Sequence, residues 1–287
     1  MPDMGERIKI VEVGPRDGLQ NEVRMIATSD KVRLIDQLSL TGLKTIEVAS
    51  FVSPRWVPQM ADAADVLASI RRQPGIAYTA LVPNIEGYQR ARAAAADEVA
   101  VFISASEGFS EKNINCSIAE SLCRVRSIAA AARSDRIPVR GYVSSVIACP
   151  YDGPTPPDAV ALLTAELLEL GCHEVSLGDT IGAGAPSSVH EMLAAVLRRV
   201  PPKVLAGHFH DTAGRALSNI SASLGMGLLK FDTSIGGLGG CPFAPGSPGN
   251  VATETVAQYL ASRGYVTGID LERLGQAAAV ARELKGG

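Results

Sequence analysis

Short apolar runs alternate with longer amphipathic segments along most of this 287-residue chain. The short runs have the length of buried strands, whereas the longer segments repeat apolar residues at helical spacing. Strands that alternate with helices in this way favour parallel β-α-β units. The eight strand-like runs are residues 8–13, 45–49, 76–82, 98–103, 139–146, 174–177, 204–210 and 231–235.

Eight such units predict a closed (β/α)8 barrel, or TIM barrel, that forms a single domain over residues 1–287. No Pro-, Ser- and Gly-rich linker divides the chain. Asn84 is predicted to cap a helix, and Gly171 to end the helix that Pro157 begins. An open doubly wound sheet is the main alternative, but no Gly-x-Gly-x-x-Gly motif follows the first strand. In a barrel, functional residues are expected at the carboxyl ends of the strands.

Charge and composition exclude several classes of function. The formal net charge is −3, from 27 basic and 30 acidic residues that form no long like-charged block. This balance argues against binding to nucleic acid or to a membrane surface. No secretory or transit segment and no apolar run of membrane-spanning length is present. Five scattered cysteines without a Cys-x-x-Cys pair indicate a reduced, cytoplasmic protein without structural zinc.

The first two strands bring charged side chains to the expected functional face. Arg16 and Asp17 follow the first strand within a Gly-Pro-Arg-Asp-Gly turn, and Glu47 lies inside the second strand. A carboxylate in a short barrel strand must be paired or solvated. The alternative interpretation is structural: Arg16 and Asp17 close the turn as an ion pair, and Glu47 is a partner of Arg16. Such a partner would still position the arginine.

The seventh strand ends in a His-x-His pair. His208 and His210 are two residues apart on a strand and therefore point to the same side. Imidazoles that share a side near a carboxylate suit a divalent metal, although packing or ordinary hydrogen bonding explains many such pairs. Asp179, at the end of the sixth strand, adds a carboxylate to the same face or caps the loop that follows it. His173 and His190 are interpreted as structural.

Asn250 has two interpretations. It precedes Val-Ala-Thr-Glu and on local pattern alone is a helix N-cap, but its side-chain carbonyl would also suit a hard cation beside Asp17. One Asp, two His and this Asn would form a site of mixed nitrogen and oxygen ligands. Because no thiolate is placed to join them, Mg²⁺ or Mn²⁺ is favoured over zinc.

A glycine-rich segment carries a cysteine. Cys241 follows four glycines between residues 236 and 240, and a loop of this composition can fold tightly around a ligand. A thiol on such a loop is a candidate for moving a proton at a reacting carbon. A flexible linker is the alternative. The strand-like run before the segment and the Pro-Phe pair after Cys241 argue against a linker.

These motifs closely resemble the 3-hydroxy-3-methylglutaryl-CoA lyase family over essentially the whole chain. The most specific match is the cysteine segment, which related metal-dependent barrel lyases and synthases generally lack. The matching stretches are Gly14-Pro-Arg-Asp-Gly-Leu-Gln-Asn-Glu22, Ser50-Phe-Val-Ser-Pro54, Lys112-Asn-Ile-Asn-Cys-Ser117, Cys149-Pro-Tyr-Asp-Gly153, His208-x-His210-Asp211-Thr212 and Gly236-Gly-Leu-Gly-Gly-Cys-Pro-Phe-Ala244.

The resemblance implies a TIM barrel with additional C-terminal helical segments and an Mg²⁺ or Mn²⁺ site. The implied metal ligands are Asp17, His208, His210 and Asn250. Arg16 would hold a substrate carbonyl and stabilise enolate charge, with Glu47 and Asp179 as supporting acids. Cys241 would be the mobile catalytic thiol, His208 or Asp179 the base, and Lys112 and Asn113 would bind the acyl-CoA.

The implied reaction cleaves 3-hydroxy-3-methylglutaryl-CoA to acetoacetate and acetyl-CoA, as in leucine catabolism and ketone-body formation. A related metal-dependent lyase or aldolase, acting on another hydroxyacyl-CoA or a 2-oxo-4-hydroxy acid, is the nearest alternative. A catalytically inactive metal- or acyl-CoA-binding scaffold is a second alternative, disfavoured because a scaffold needs no thiol on a closing loop. Homodimers are expected, because barrels of this type often pair through their helices.

Overall fold

Eight parallel strands form a closed barrel in a computed structural model that describes residues 5–240 and 249–286. Each strand pairs with its neighbours in chain order, and β1 pairs with β8 to close the ring. The predicted barrel is therefore confirmed, and every predicted strand is present with small shifts at its ends. The strands are β1 (Lys9–Glu12), β2 (Thr45–Ser50), β3 (Ala77–Leu81), β4 (Glu98–Ser104), β5 (Val139–Ser144), β6 (Glu174–Asp179), β7 (Leu205–Phe209) and β8 (Lys230–Thr233).

Helices surround the barrel and shield its outer face. Their apolar sides are buried against the strands, while their charged sides face outward, as amphipathic patterning requires. No helix among the described residues is both long enough and apolar enough to cross a membrane. The helices are α1 (Thr28–Leu38), α2 (Ala63–Ser69), α3 (Ile85–Ala93), α4 (Glu107–Ile114), α5 (Ile118–Asp135), α6 (Pro157–Leu170), α7 (Pro186–Leu197), α8 (Ala216–Gly225), α9 (Thr253–Ser262) and α10 (Leu271–Gly286).

Local helix signals are confirmed where they involve only neighbouring residues. The Asn84 side chain accepts a hydrogen bond from the Gly87 backbone N–H at 2.8 Å and caps α3. Gly171 ends α6 with a φ of +113°, a conformation that side chains with a Cβ rarely adopt. The interpretation of Asn250 as a helix N-cap is wrong, because α9 begins at Thr253 and Ala252 is its N-cap.

Two helices extend the simple eightfold repeat. The first, α4, is inserted between β4 and α5, and the second, α10, follows the last barrel helix, as the resemblance implied. α10 packs against α1 and against the glycine turn Ile235–Gly237 that follows β8. An added Cβ at Gly236 would lie 3.1 Å from the Ala281 Cβ, so the turn and the helix are in close contact.

Charged side chains fill part of the barrel interior. Lys230 and Arg140 both bind the Glu174 carboxylate, at 2.5 and 2.8 Å, and Arg140 also binds Asp232 at 2.7 Å. Asp232 in turn accepts from Ser176 at 2.7 Å. Arg140, Glu174 and Asp232 are buried and Lys230 is half-buried, and every charge has an opposite partner, as a low-dielectric interior requires. The chain of contacts leads up the barrel towards the carboxyl ends of the strands.

Candidate active site

A tight helical turn after β1, residues Gly14–Gly18, places Arg16 and Asp17 above the barrel. The backbone N–H groups of Arg16, Asp17 and Gly18 all donate to the Val13 carbonyl, which winds the turn closely. The Arg16 Nη1 atom lies 2.5 Å from Asp17 Oδ1. The two side chains thus form an ion pair at the mouth of the barrel, which is the arrangement expected under the structural interpretation of the turn.

Glu47 holds the other side of the Arg16 guanidinium. Its Oε1 atom accepts from Arg16 Nε, and its Oε2 atom accepts from the Tyr142 hydroxyl at 3.0 Å. Burial raises the pKa of Glu47, while the charge of Arg16 and its hydrogen bond oppose that rise. The Tyr142 ring also lies 5.7 Å from the Arg16 guanidinium carbon. Glu47 and Tyr142 therefore fix the orientation of Arg16.

The two histidines at the end of β7 meet Asp17. One potential ligand atom from each of Asp17, His208 and His210 lies within 4.8 Å of the others. The pKa of Asp17 falls to about 2, because Arg16 and the two imidazoles outweigh the opposing effect of burial. Burial and the nearby His208 lower the pKa of His210 to about 4. At neutral pH the cluster thus offers an ionised carboxylate and at least one neutral imidazole.

These donors fit a divalent cation. The His210 Nδ1 atom is buried and has no hydrogen-bond partner in the described part of the chain, so a ligating role would satisfy it. Asn250 pairs with His210 through the backbone, and its side-chain Nδ2 donates to Asp17 Oδ2 at 2.8 Å. The amide thus reaches the same cluster, but to ligate a cation it must turn its oxygen towards Asp17. Carboxylate, imidazole and amide groups are all ligands that divalent cations use in proteins.

Asp179 is brought near the site but not into its cavity. The side chain is buried, and its two oxygens accept from the backbone N–H groups of Ala183 and Gly184 at 3.1 and 2.8 Å. Burial raises the pKa of Asp179, and the two amides oppose that rise. Asp179 is not among the described residues that line the cavity. The geometry therefore favours the loop-cap interpretation over direct contact with a substrate.

A cavity of about 840 Å³ opens above the cluster. Arg16, Asp17 and both histidines form its floor, and Gly239 and Gly240 contribute to its wall. On the side formed by α4 and α5 it is lined by Lys112, Asn113, Phe109, Asn115 and Arg124. The two cations on this wall suit the phosphates of a nucleotide-like ligand. The space is large enough for an extended small molecule.

The sequence interpretation missed two residues that orient the site. Asp232 on β8 accepts from His208 Nδ1 at 3.3 Å, and Tyr142 on β5 binds Glu47. Burial alone would lower the pKa of His208, but the hydrogen bond and charge of Asp232 raise it above its ordinary value. The signal that identified Glu47, a polar side chain inside an apolar strand, is also present at both positions.

Cys241 lies outside the residues that the structure describes. The described residues end at Gly240, within the glycine segment, and resume at Gly249. Gly236, Gly237 and Gly239 have φ values of +63°, +61° and +90°, so this backbone needs glycine at three positions. The Leu238 carbonyl accepts from the Ser234 hydroxyl at 2.8 Å and fixes the base of the segment.

Replacing Glu47 with glutamine is expected to lower the free energy of unfolding by about 3–5 kcal/mol and to reduce kcat. The buried pair with Arg16 contributes little net stability, but removing one partner leaves the guanidinium with a buried charge that is only partly compensated. Thermal denaturation and steady-state kinetics measure the two effects.

Glu98→Gln is a matched control, because Glu98 is also buried on a strand but lies at the opposite end of the barrel, paired with His173 at 2.8 Å. A Glu47→Gln protein with unchanged stability and turnover would contradict a role for Glu47 in holding Arg16.

Comparison with known proteins gives one consistent result. The model of the HMGL-like family matches residues 7–281. The chain is 55% identical to chicken mitochondrial hydroxymethylglutaryl-CoA lyase, covering 94% of this chain and 90% of that protein. A solved HMG-CoA lyase from Brucella melitensis has a TM-score of 0.98 at 57% identity, with 99% of this chain and 100% of that chain covered.

A third relative was solved with a ligand. The HMG-CoA lyase from Acinetobacter baumannii, in complex with coenzyme A and 3-methylmalate, has a TM-score of 0.94 and is 36% identical over 100% of this chain and 93% of that chain. Its fold and that of the Brucella enzyme agree with the barrel described above. Since the family model spans nearly all of the sequence, the chain belongs to the HMGL-like family.

Proposed function

We propose that this protein is a carbon–carbon lyase that cleaves 3-hydroxy-3-methylglutaryl-CoA to acetoacetate and acetyl-CoA. The observation that carries the proposal is the convergence of Asp17, His208 and His210 beside Arg16 at the base of a large cavity. The identity of 53–55% to several lyases of this name, over most of the chain, supports the same substrate. It disfavours the alternatives of a different aldolase and of an inactive scaffold.

A divalent cation belongs to this proposal. Membership of the family implies one, and we propose Mg²⁺ or Mn²⁺, held by Asp17, His208, His210 and Asn250. When bound, such a cation acts as a Lewis acid that lowers the pKa of an oxygen acid by several units. The ionised Asp17 carboxylate and the neutral His210 imidazole need no change in charge to ligate a cation at neutral pH.

The residues around the cation perform the remaining steps of the proposed reaction. The C3 hydroxyl of the substrate loses its proton, the C2–C3 bond breaks, and its electrons move onto the thioester as an enolate. Arg16 donates hydrogen bonds to that enolate oxygen from a guanidinium that Glu47 and Tyr142 hold in place. Fixed donors of this kind stabilise the charge without reorganising during the reaction.

Of the two candidate bases, His208 is favoured over Asp179 because only His208 lines the cavity. Asp232 holds its Nδ1 atom, so Nε2 is the nitrogen that faces Asp17, at 4.0 Å. One nitrogen cannot ligate a cation and accept a proton at the same moment. The metal affinity of a His208→Ala variant separates the two roles: unchanged affinity with lost turnover assigns the base.

The protonation of C2 and the binding of the CoA portion complete the proposal. We propose that Cys241 donates or relays the proton that converts the enolate to acetyl-CoA, as the family resemblance implies. Lys112 and Asn113 would bind the acyl-CoA from the α4 wall of the cavity, where Arg124 adds a second cation.

We propose a single-domain, cytoplasmic homodimer that acts in leucine catabolism and ketone-body formation. The family match across residues 7–281 supports the single domain. Relatives are named as cytoplasmic in mouse and as mitochondrial in chicken, so fractionation of the source cells is the direct test of location.

The proposed activity is tested with purified protein, 3-hydroxy-3-methylglutaryl-CoA, and Mg²⁺ or Mn²⁺. Acetoacetate, measured through a coupled dehydrogenase, is expected to appear in a 1:1 ratio with acetyl-CoA, and excess chelator is expected to stop its release. Protein that binds the cation but releases neither product from this thioester would contradict the proposed function and revive the scaffold alternative.

A further inference from the structure

Glu12, the last residue of β1, has no role in the reaction described above, yet its carboxylate is fully buried. Three donors converge on it. Oε1 accepts from the backbone N–H groups of Gly14 and Ile235, at 2.8 and 2.9 Å. Oε2 accepts from the Thr253 hydroxyl at 2.6 Å. The three donors come from both ends of the chain, and each is buried with the carboxylate.

Each of these donors lies beside a different part of the candidate site. Gly14 begins the turn that carries Arg16 and Asp17. Ile235 begins the glycine turn that leads to the cavity wall. Thr253 begins α9, three residues after Asn250. Glu12 therefore links the three segments that must keep a fixed spacing if Arg16, Asp17 and Asn250 are to act together.

We propose that Glu12 is a positioning residue that sets the Arg16–Asp17 turn against the glycine turn and the Asn250 segment. It is not among the described residues that line the cavity, so it acts through the backbone rather than on the substrate. The inference rests on the proposed function for its kinetic effects. Its effect on the cation site is independent of which substrate is cleaved.

The chemistry of the carboxylate suits this role. An ionised carboxylate only accepts hydrogen bonds and can serve three donors, whereas a glutamine amide presents an NH₂ group on one side. Glu12→Gln would therefore turn one acceptor into a donor that faces another donor. The segment on that side is expected to move, and a displacement of about 1 Å at a reacting group can reduce the rate about 10²-fold.

The ionised Glu12 carboxylate affects stability and activity in opposite directions, so the two effects can be measured separately. Burial raises its pKa to about 7, while the hydrogen bonds from Thr253, Ile235 and Gly14 oppose that rise. Because the folded-state pKa exceeds the unfolded value, the ionised group lowers stability as the pH increases from 4.5 through about 7. A neutral glutamine is therefore expected to leave the melting temperature at pH 8 close to that of the wild type, because relief of the buried charge offsets the misplaced NH₂ group, even though activity falls.

Glycine at position 14 offers an independent variant. An added Cβ there would lie 2.6 Å from Glu12 Oε1 and 3.0 Å from Ser234 Oγ, too close for either atom to stay in place. Gly14→Ala keeps the carboxylate and its charge but displaces it. If spacing rather than charge is what Glu12 supplies, this variant is expected to show the same defect as Glu12→Gln.

The experiment measures kcat and KM for 3-hydroxy-3-methylglutaryl-CoA, the affinity for Mn²⁺ alone, and the melting temperature at pH 8. Glu12→Gln is expected to lower kcat and Mn²⁺ affinity about ten- to hundredfold while KM and the fold are retained. Thr253→Val should show part of this loss and Thr253→Ser should recover most of it, because serine keeps the hydroxyl. Glu98→Gln is the control for loss of a buried carboxylate elsewhere.

Wild-type kcat and Mn²⁺ affinity in folded Glu12→Gln protein would overturn the inference. If that variant does not fold, Gly14→Ala and Thr253→Val decide it: weakened Mn²⁺ binding in a folded protein supports positioning, and unchanged binding refutes it. If wild-type protein fails to cleave the thioester, the proposed function is contradicted, but the Mn²⁺ measurements still test Glu12.

Discussion

Replacing Arg16 with glutamine is expected to lower kcat by about 10²- to 10³-fold, the usual effect of removing one fixed donor from a developing oxyanion. The guanidinium is buried, contacts both Glu47 and Asp17, and lines the cavity beside the two histidines. Glutamine retains a donor but loses the charge and the reach of the guanidinium. Single-turnover kinetics with saturating cation measures the chemical step directly.

The matched control for this variant is Arg90→Gln. Arg90 also lies over an aromatic ring, that of Phe51 at 5.4 Å, but it is outside the cavity. Its replacement should leave kcat unchanged. Mn²⁺ affinity should remain measurable in Arg16→Gln protein, because Arg16 is not a ligand. Near-normal turnover in that variant would remove Arg16 from charge stabilisation and require another donor for the enolate.

Replacing His210 with alanine is expected to weaken Mn²⁺ binding by more than about 100-fold. Loss of a residue that only hydrogen-bonds a metal ligand already weakens binding by up to about 100-fold, so loss of a ligand should cost more. The substitution removes a largely neutral imidazole whose buried Nδ1 atom has no partner among the described residues. Titration of Mn²⁺ into chelator-treated protein, followed by electron paramagnetic resonance, measures the affinity without any substrate.

His190→Ala is the control, since His190 is exposed on α7 and is not among the described residues that line the cavity. Unchanged Mn²⁺ affinity in a folded His210→Ala protein would exclude His210 as a ligand and leave Asp17, His208 and Asn250 to hold the cation. The same titration of His208→Ala reports whether that imidazole ligates or acts only as a base.

Much of the fold could be predicted because it depends on local patterns. All eight strands are apolar runs of strand length. Gly171 ends a helix because glycine adopts a positive φ without steric cost. The closed ring followed from counting β-α units. Asn250 was misread as a cap because the group that engages its backbone, His210, lies 40 positions earlier and is brought there only by the barrel.

Part of the candidate site could also be predicted from local patterns, and part could not. Asp17, His208 and His210 follow strand ends, so the barrel rule alone places them on one face, and the structure brings them together. Asp232, Tyr142 and Glu12 were missed because most of their partners lie on other elements of the fold, and sequence does not show which buried polar group meets which.

Barrel closure bears on how the protein is synthesised. β1 leaves the ribosome before the other seven strands and cannot pair with β8 until more than 200 further residues have followed. Before β7 has emerged, Asp17 has neither imidazole beside it, and before Ile235 and Thr253 follow, Glu12 lacks two of its three donors. A nascent chain that stalls before β7 is therefore expected to bind no cation, whatever partial structure it has formed.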